Sequence, residues 1–246
     1  MNLIVDIGNT RVKLALTQGG EVVEQYAAER LDAERLDAFL AGRRPARSIV
    51  SSTRGAADEL LGTLRPRTDY LLEFTAATPV PIGNAYRTPA TLGRDRLAAA
   101  VGAATLFPDC DVLIVDFGTA LTLDLLTADG VFRGGCISPG LRMRLRALHD
   151  YTAALPLCAP AEYPGLLGRS TEEALVQGAI NSLTFEVEGY IGRLREKFDD
   201  LRVIFTGGDA NFFEKRIKNT IFANRNLVLC GLDRILEYNA REEYLD

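Results

Sequence analysis

The chain carries one string twice. Leu3-Ile4-Val5-Asp6 returns as Leu113-Ile114-Val115-Asp116, and each copy is followed, one residue later, by a glycine, Gly8 or Gly118. The turn-like Thr17-Gln18-Gly19-Gly20 stands before Thr127-Ala128-Asp129-Gly130 by the same offset that separates Asp6 from Asp116. An apolar run that stops on an acid and a glycine reads as a buried strand ending in a tight loop. Two such strands in matching places, each followed by a second strand and a turn, constrain the fold to a duplicated mixed α/β architecture.

The rest of the chain agrees. Residues 2–6 read as a strand, 11–16 alternate polar and apolar as a half-buried strand, and 21–26 return as a third. Leu31 to Leu40 has helical spacing and stops before Gly42; residues 47–51 form the next strand. In the second copy the strands are 112–115 and 121–126, then Val131-Phe132 leading into a glycine-broken strand end at 134–140. Helices are expected at 141–155, 170–196, 210–218 and 231–239, with a strand at 201–206. The halves are therefore set at 1–110 and 111–246, with the Pro- and Gly-containing segment 79–96 bridging them. A cleft between two such halves is a favoured ligand site.

Composition excludes several classes. With 246 residues, 47% hydrophobic and 25% charged, the chain can bury sizeable cores. Its net charge of −5 argues against a nucleic-acid footprint. No apolar run approaches the roughly 20 residues of a membrane-spanning helix, and the first strand follows Met1 with no basic leader, so a cytoplasmic location is expected. The four cysteines, at 110, 136, 158 and 230, lack zinc spacing and read as reduced thiols.

Four loops carry chemistry. Asp6-x-Gly8-Asn9-Thr10 offers a carboxylate for Mg²⁺ and amides and a hydroxyl for phosphate. Asp116-x-Gly118-Thr119 repeats the equipment. A single copy is no more than a turn; the pair suggests two loops on one polyphosphate. No Gly-x-x-x-x-Gly-Lys-Ser/Thr occurs, which excludes the P-loop solution, and no Gly-x-Gly-x-x-Gly follows the first strand. Phe205-Thr206-Gly207-Gly208-Asp209 serves either as a plain strand-to-helix turn or as backbone beside a nucleotide. Gly93-Arg94-Asp95-Arg96 heads the helix-like run 97–106. On these residues alone it is either a capped, charge-paired helix start or a proton acceptor beside an arginine for an acidic substrate. His149 has no nucleophilic partner motif and reads as structural, and the basic run 141–146 as a solvated helix face.

Taken in order, DIGNT (6–10), GRDR (93–96), DFGTA (116–120), GGCISPG (134–140), STEEALVQG (170–178) and FTGGD (205–209) resemble the type III pantothenate kinases, of the acetate kinase/sugar kinase/Hsp70/actin superfamily. The resemblance implies duplicated actin-like (ribonuclease H-like) domains with an ATP cleft between the halves. It also implies phosphorylation of pantothenate at its 4′-hydroxyl, the opening step of coenzyme A synthesis. Asp95 is then the general base. Arg96 binds the substrate carboxylate, with Gly93, Arg94 and Tyr86 shaping that pocket. The first phosphate loop comprises Asp6, Ile7, Gly8, Asn9, Thr10, Arg11, Val12 and Lys13, and Thr119 is the second ATP contact. Mg²⁺ accompanies ATP at Asp6, directly or through water, and Asp116 is the ligand of a monovalent cation, K⁺ or NH₄⁺. Thr171 reaches pantothenate from the neighbouring subunit, which implies a homodimer. Two other readings remain: a non-catalytic regulator of the Bvg accessory factor kind, or a superfamily kinase with another acceptor.

Overall fold

A computed structural model describes residues 1–55, 57–218 and 221–242. The chain runs β1 (Asn2–Ile7), β2 (Val12–Gln18), β3 (Glu21–Ala28), α1 (Ala33–Leu40), β4 (Arg47–Ser52), α2 (Asp58–Leu64), β5 (Tyr70–Phe74), β6 (Gly83–Asn84) and α3 (Arg94–Leu106). It continues through β7 (Val112–Phe117), β8 (Ala120–Thr127), β9 (Val131–Pro139), α4 (Leu141–Asp150) and α5 (Thr171–Arg195). Last come β10 (Arg202–Thr206), α6 (Ala210–Glu214), β11 (Phe222–Ala223) and α7 (Leu227–Glu242).

Packing divides these elements into two units that interleave in sequence. The first holds Met1–Asp109, Leu126–Arg133 and Asn226–Asp246; the second holds Cys110–Leu125 and Gly134–Arg225. The sequence expectation is a single cut at 110/111, whereas the first of these boundaries falls between Asp109 and Cys110. The last helix and the turn joining β8 to β9 group with the first unit instead.

In the first unit a five-stranded sheet has the order β3-β2-β1-β4-β5. The meander β1-β2-β3 is antiparallel, and β4 and β5 run parallel to β1. Alternation along β1 splits its side chains between two faces. Leu3 and Val5 enter a core with Leu36, Phe39 and Leu40 of α1 and Leu64 of α2. Asn2, Ile4 and Asp6 face the other way. There Asp233 of α7, 3% exposed, accepts from Asn2 Nδ2 at 2.9 Å and Thr17 Oγ1 at 2.5 Å. Glu237 of α7 accepts from Asn2 Nδ2 at 2.8 Å and Arg47 Nη1 at 2.6 Å. The pairing with Asn2 and Arg47 holds the Glu237 carboxyl below its ordinary pKa against the opposing effect of burial. α7 also crosses α3 at two glycines. A β-carbon on Gly231 would lie 1.8 Å from Ala98 O, and one on Gly102 would lie 2.4 Å from Leu227 O. Only bare backbone permits this approach.

In the second unit β10 pairs in parallel with β7, and the sheet order runs β11-β10-β7-β8-β9. The first two residues of β9, Val131 and Phe132, pair with β6 inside the first unit. Leu113, Val115 and Phe117 of β7 bury against Leu145 of α4 and Val176 and Leu183 of α5. Phe117 stacks on Phe213 at 4.8 Å and meets Phe205 edge-on at 4.8 Å. Arg144 of α4 and Glu186 of α5 form a mostly buried ion pair.

Several elements differ from the sequence expectation. The strand read as broken at 134–140 continues as β9 to Pro139, because Gly135 sits where a β-carbon would be 2.0 Å from Leu123 O. Its glycine marks a close approach rather than an end. α4 stops at Asp150 instead of 155, and α6 at Glu214 instead of 218; α7 begins four residues early, at Leu227. α3 starts at Arg94, so the GRDR motif lies in its first turn. Segment 79–96 belongs to the first unit, where it contributes β6. The four cysteines are half-buried free thiols. Among the described residues no helix is long and apolar enough to cross a membrane.

Candidate active site

In the first unit the candidate residues gather where β1 ends. Gly8 N–H donates to Arg11 O at 3.0 Å and closes the loop between β1 and β2. Asn9, Thr10 and Arg11 at its tip are exposed, whereas Ile7 and Lys13 are half-buried and Val12 is buried. Arg54 Nη2 donates to Asn9 O at 2.8 Å, and Thr53 N–H to Ile7 O at 2.9 Å, tying the loop to the end of β4.

Asp6 is the unusual residue of this unit. It is 6% exposed, and its Oδ1 has no hydrogen-bond partner. Burial pushes its carboxyl pKa up to about 6, with Lys13 opposing the rise and the negative Asp95 adding to it. Lys13 is the cross-strand partner of Asp6 on β2, and Ser51 is its partner on β4. A buried carboxylate oxygen left without a donor fits a cation or a hydrated cation. Among the described residues no group of three or more His, Cys, Asp or Glu side chains forms a metal centre.

α3 presents the GRDR residues. Gly93 caps the helix, and Arg96 N–H donates to Asp95 Oδ1 at 2.9 Å. A β-carbon on Gly93 would lie 2.6 Å from that oxygen, so the glycine lets the carboxylate fold back on the helix start. Arg94 Nε donates to Phe74 O at 3.1 Å. Arg96 is 6% exposed, with its guanidinium carbon 5.6 Å from the Tyr86 ring centre and 5.9 Å from that of Phe132. Tyr86 is held by its own N–H, which donates to Asn84 Oδ1 at 3.0 Å. A recess of about 440 Å³ opens beside Gly93 and Arg94, walled by Val50, Ser52, Phe74 and Leu92. It has the size of a small-molecule pocket.

The second unit gathers its own loops. Asp116, the last residue but one of β7, is half-buried, and exposed Thr119 follows the strand. A β-carbon on Gly207 would lie 2.4 Å from Asp116 Oδ1, and one on Gly118 would lie 3.0 Å from it. Gly207 has φ +93°, and Asp209 N–H donates to Phe117 O at 3.1 Å. Gly140 N–H donates to Thr119 O at 3.2 Å, and its missing β-carbon would be 2.5 Å from both Gly118 O and Thr119 O. The FTGGD and GGCISPG motifs therefore cradle the Asp116–Thr119 loop. Sequence reasoning assigned Gly207 no partner; its signal was the paired glycines after a strand. Thr171 is exposed at the first turn of α5, which Ser170 caps by accepting from Glu173 N–H at 3.2 Å.

A family model described as type III pantothenate kinase matches residues 2–193. A type III pantothenate kinase from Phocaeicola vulgatus is 44% identical over 97% of this chain and 99% of its own length. The chain belongs to the type III pantothenate kinase family. Another type III pantothenate kinase, from Christiangramia forsetii, is 42% identical over 97% of this chain and 99% of its own. Solved structures share the fold at much lower identity. A Campylobacter jejuni chain described as a Baf family transcriptional activator has a TM-score of 0.64 at 19% identity, covering 97% of this chain and 99% of that one. A ROK family glucokinase from Streptomyces griseus has a TM-score of 0.52 at 14% identity, covering 96% of each. The fold shared with these structures is one of mixed sheets in duplicated ribonuclease H-like domains. Within it, Asp6, Lys13, Tyr86, Asp95 and Arg96 fall in the first unit, and Asp116, Thr119 and Thr171 in the second.

Proposed function

We propose that this chain transfers the γ-phosphoryl group of ATP to the 4′-hydroxyl of pantothenate. The observation that carries the reading is the first turn of α3, which puts a carboxylate, Asp95, next to a buried arginine, Arg96, beside two aromatic rings. The acceptor is a small molecule with a hydroxyl to deprotonate and a carboxylate to hold, and these are the two groups that would meet it. Phosphoryl transfer rests on positioning and charge neutralisation more than on covalent chemistry.

On this reading Asp95 accepts the hydroxyl proton as the oxygen attacks phosphorus. Arg96 pairs with the substrate carboxylate, and its fixed position against Tyr86 and Phe132 limits how the acceptor can lie. The loop from Asp6 to Lys13 offers backbone donors and the Lys13 charge to phosphate oxygens. Asp6 would hold Mg²⁺, directly or through water, and Asp116 a K⁺ or NH₄⁺ ion; these cations neutralise phosphate charge when bound. Thr119 supplies the second contact to ATP.

We assign the protein to a cytoplasmic homodimer in which Thr171 reaches the partner's substrate. The support for the dimer is that Met143, Tyr151, Leu167 and Phe185, on and beside α4 and α5, are exposed apolar side chains, Tyr151 to 89% and Leu167 to 81%.

The test is ADP release by purified protein with ATP, Mg²⁺ and pantothenate, in K⁺ or NH₄⁺ and again in Na⁺ alone. Release that requires pantothenate and rises with K⁺ or NH₄⁺ is expected. Release driven by a sugar or acetate instead, or none from folded dimeric protein, would overturn the assignment.

A further inference from the structure

Along one face of β1 the polar residues sit at the two ends, and the two ends are treated differently. At the first end Asn2 lies in register with Thr17 on β2 and Arg47 on β4. Asp233 and Glu237 of α7 hydrogen-bond to these side chains. In the middle Ile4 lies between Ala15 and Ile49, all fully buried. At the far end Asp6 lies between Lys13 and Ser51. Here the fold leaves polar atoms open. Asp6 Oδ1 and Ser51 Oγ are both shut off from solvent and both without a hydrogen-bond partner.

A protein that satisfies one end of a face so fully has no structural need for an orphan hydroxyl at the other. Buried polar groups are ordinarily paired, and an unpaired one asks for a functional reason. Ser48 Oγ, on the opposite face of β4, is also buried and unpartnered, so what singles out Ser51 is its register beside Asp6. Its position is specific, since parallel neighbours in register are about 4.8 Å apart and project to the same side. Asp6 and Ser51 are such a pair.

We propose that Ser51 is a positioning residue for Asp6. In the nucleotide-bound protein its hydroxyl donates to Asp6 Oδ1 and fixes the carboxylate with its other oxygen turned toward the hydrated cation on the phosphates. The pairing forms when the Mg²⁺–nucleotide binds. Ser51 touches neither nucleotide nor acceptor. The inference rests on the phosphate-loop role given to Asp6, and not on the identity of the acceptor.

The experiment compares wild type with Ser51→Ala and with Ser51→Cys, which puts a weakly donating thiol in place of the hydroxyl. Melting temperature is read for the free proteins and again with saturating MgADP. The Mg²⁺ concentration for half-maximal rate and the pantothenate KM follow. Loss of a hydrogen bond to a charged group predicts a roughly 10- to 100-fold rise in the Mg²⁺ requirement. In both variants the pantothenate KM should stay unchanged and the free protein should melt at or above the wild-type temperature. The temperature gain from MgADP should shrink. A wild-type Mg²⁺ requirement in both variants would overturn the proposal, as would a fall in free-protein melting temperature that accounts for the whole loss of rate. The MgADP shift reads the nucleotide site alone. A wild type that gains stability from MgADP but does not phosphorylate pantothenate would sink the acceptor assignment and leave Ser51 to be judged by that shift. A wild type that gains none would overturn both.

Discussion

Replacing Asp6 by asparagine should make the free protein more stable relative to wild type as the pH rises. The folded state holds the Asp6 carboxyl at a pKa of about 6, against 3.8 for an unperturbed aspartate, chiefly through burial. The fold therefore prefers the protonated form. Its contribution is intact below the unfolded pKa and is lost as pH climbs through the folded one. The full loss is a shift of about two pKa units at 1.36 kcal/mol each, or about 3 kcal/mol. Roughly half of it falls between pH 5 and pH 8, where the protein can be handled without acid damage. At about 2–4 °C per kcal/mol for a chain of this size, the melting-temperature gap between Asp6→Asn and wild type should widen by roughly 3–6 °C over that range. Any fixed cost of burying the asparagine amide shifts the gap at every pH and leaves its slope untouched. The assay is a thermal melt of both proteins across buffers matched in ionic strength. A gap that stays constant from pH 5 to pH 8 would refute the placement of an unfavourable buried charge at Asp6. The same variant should gain less than wild type from saturating MgADP, because the carboxylate whose burial destabilises the free protein is the group a cation would use.

Asp95→Asn should keep the wild-type melting temperature and lose turnover by about 10²- to 10⁴-fold, the usual worth of a general base, in a steady-state ADP-release assay. Arg96→Met preserves much of the packing against Tyr86 and Phe132; it should raise the pantothenate KM well beyond any change in the ATP KM, and equal changes in both would count against a carboxylate contact. Gly207→Ala forces a β-carbon to within 2.4 Å of Asp116 Oδ1 at a φ of +93°; we expect a stability loss of about 1–3 kcal/mol together with a weakened response to K⁺, measured by melting and by rate against K⁺ concentration. Gly231→Ala should cost a similar 1–3 kcal/mol by prising α7 from α3, and an unchanged melt would mean that the helices separate freely.

Much of this was legible in the chain itself, and the failures have physical causes. The twin Leu-Ile-Val-Asp strings announced β1 and β7, because an apolar run halted by an acid and a glycine allows few alternatives. The loops at Gly8, Gly93 and Gly118 could be read for the same reason. α2 and β5 escaped notice, since residues 58–74 mix charge and leucine without a clear period. Gly135 was misread as a strand end because a glycine required by a neighbouring carbonyl is indistinguishable, in one dimension, from a glycine that terminates. Leu227 to Cys230 is uniformly apolar and shows no helical period, which hid the first turn of α7. Ser51 was invisible as well. It is an ordinary strand serine until the register with Asp6 and the missing partner are seen together.

The interleaving of the two units also bears on how the protein is made. Asn2 and Asp233 are separated by 231 residues, and Arg47 and Glu237 by 190, yet they close one polar cluster. A ribosome must therefore translate the second unit before the first can finish. Until α7 emerges, the sheet face carrying Asn2 and Arg47 lacks its cover, and α3, with Asp95 in its first turn, lacks the helix that grips it at Gly102. Long-range closure of this sort slows folding and leaves nascent chains open to aggregation. A chain cut short before Leu227 would lack the helix that packs against α3, which carries Asp95 in its first turn.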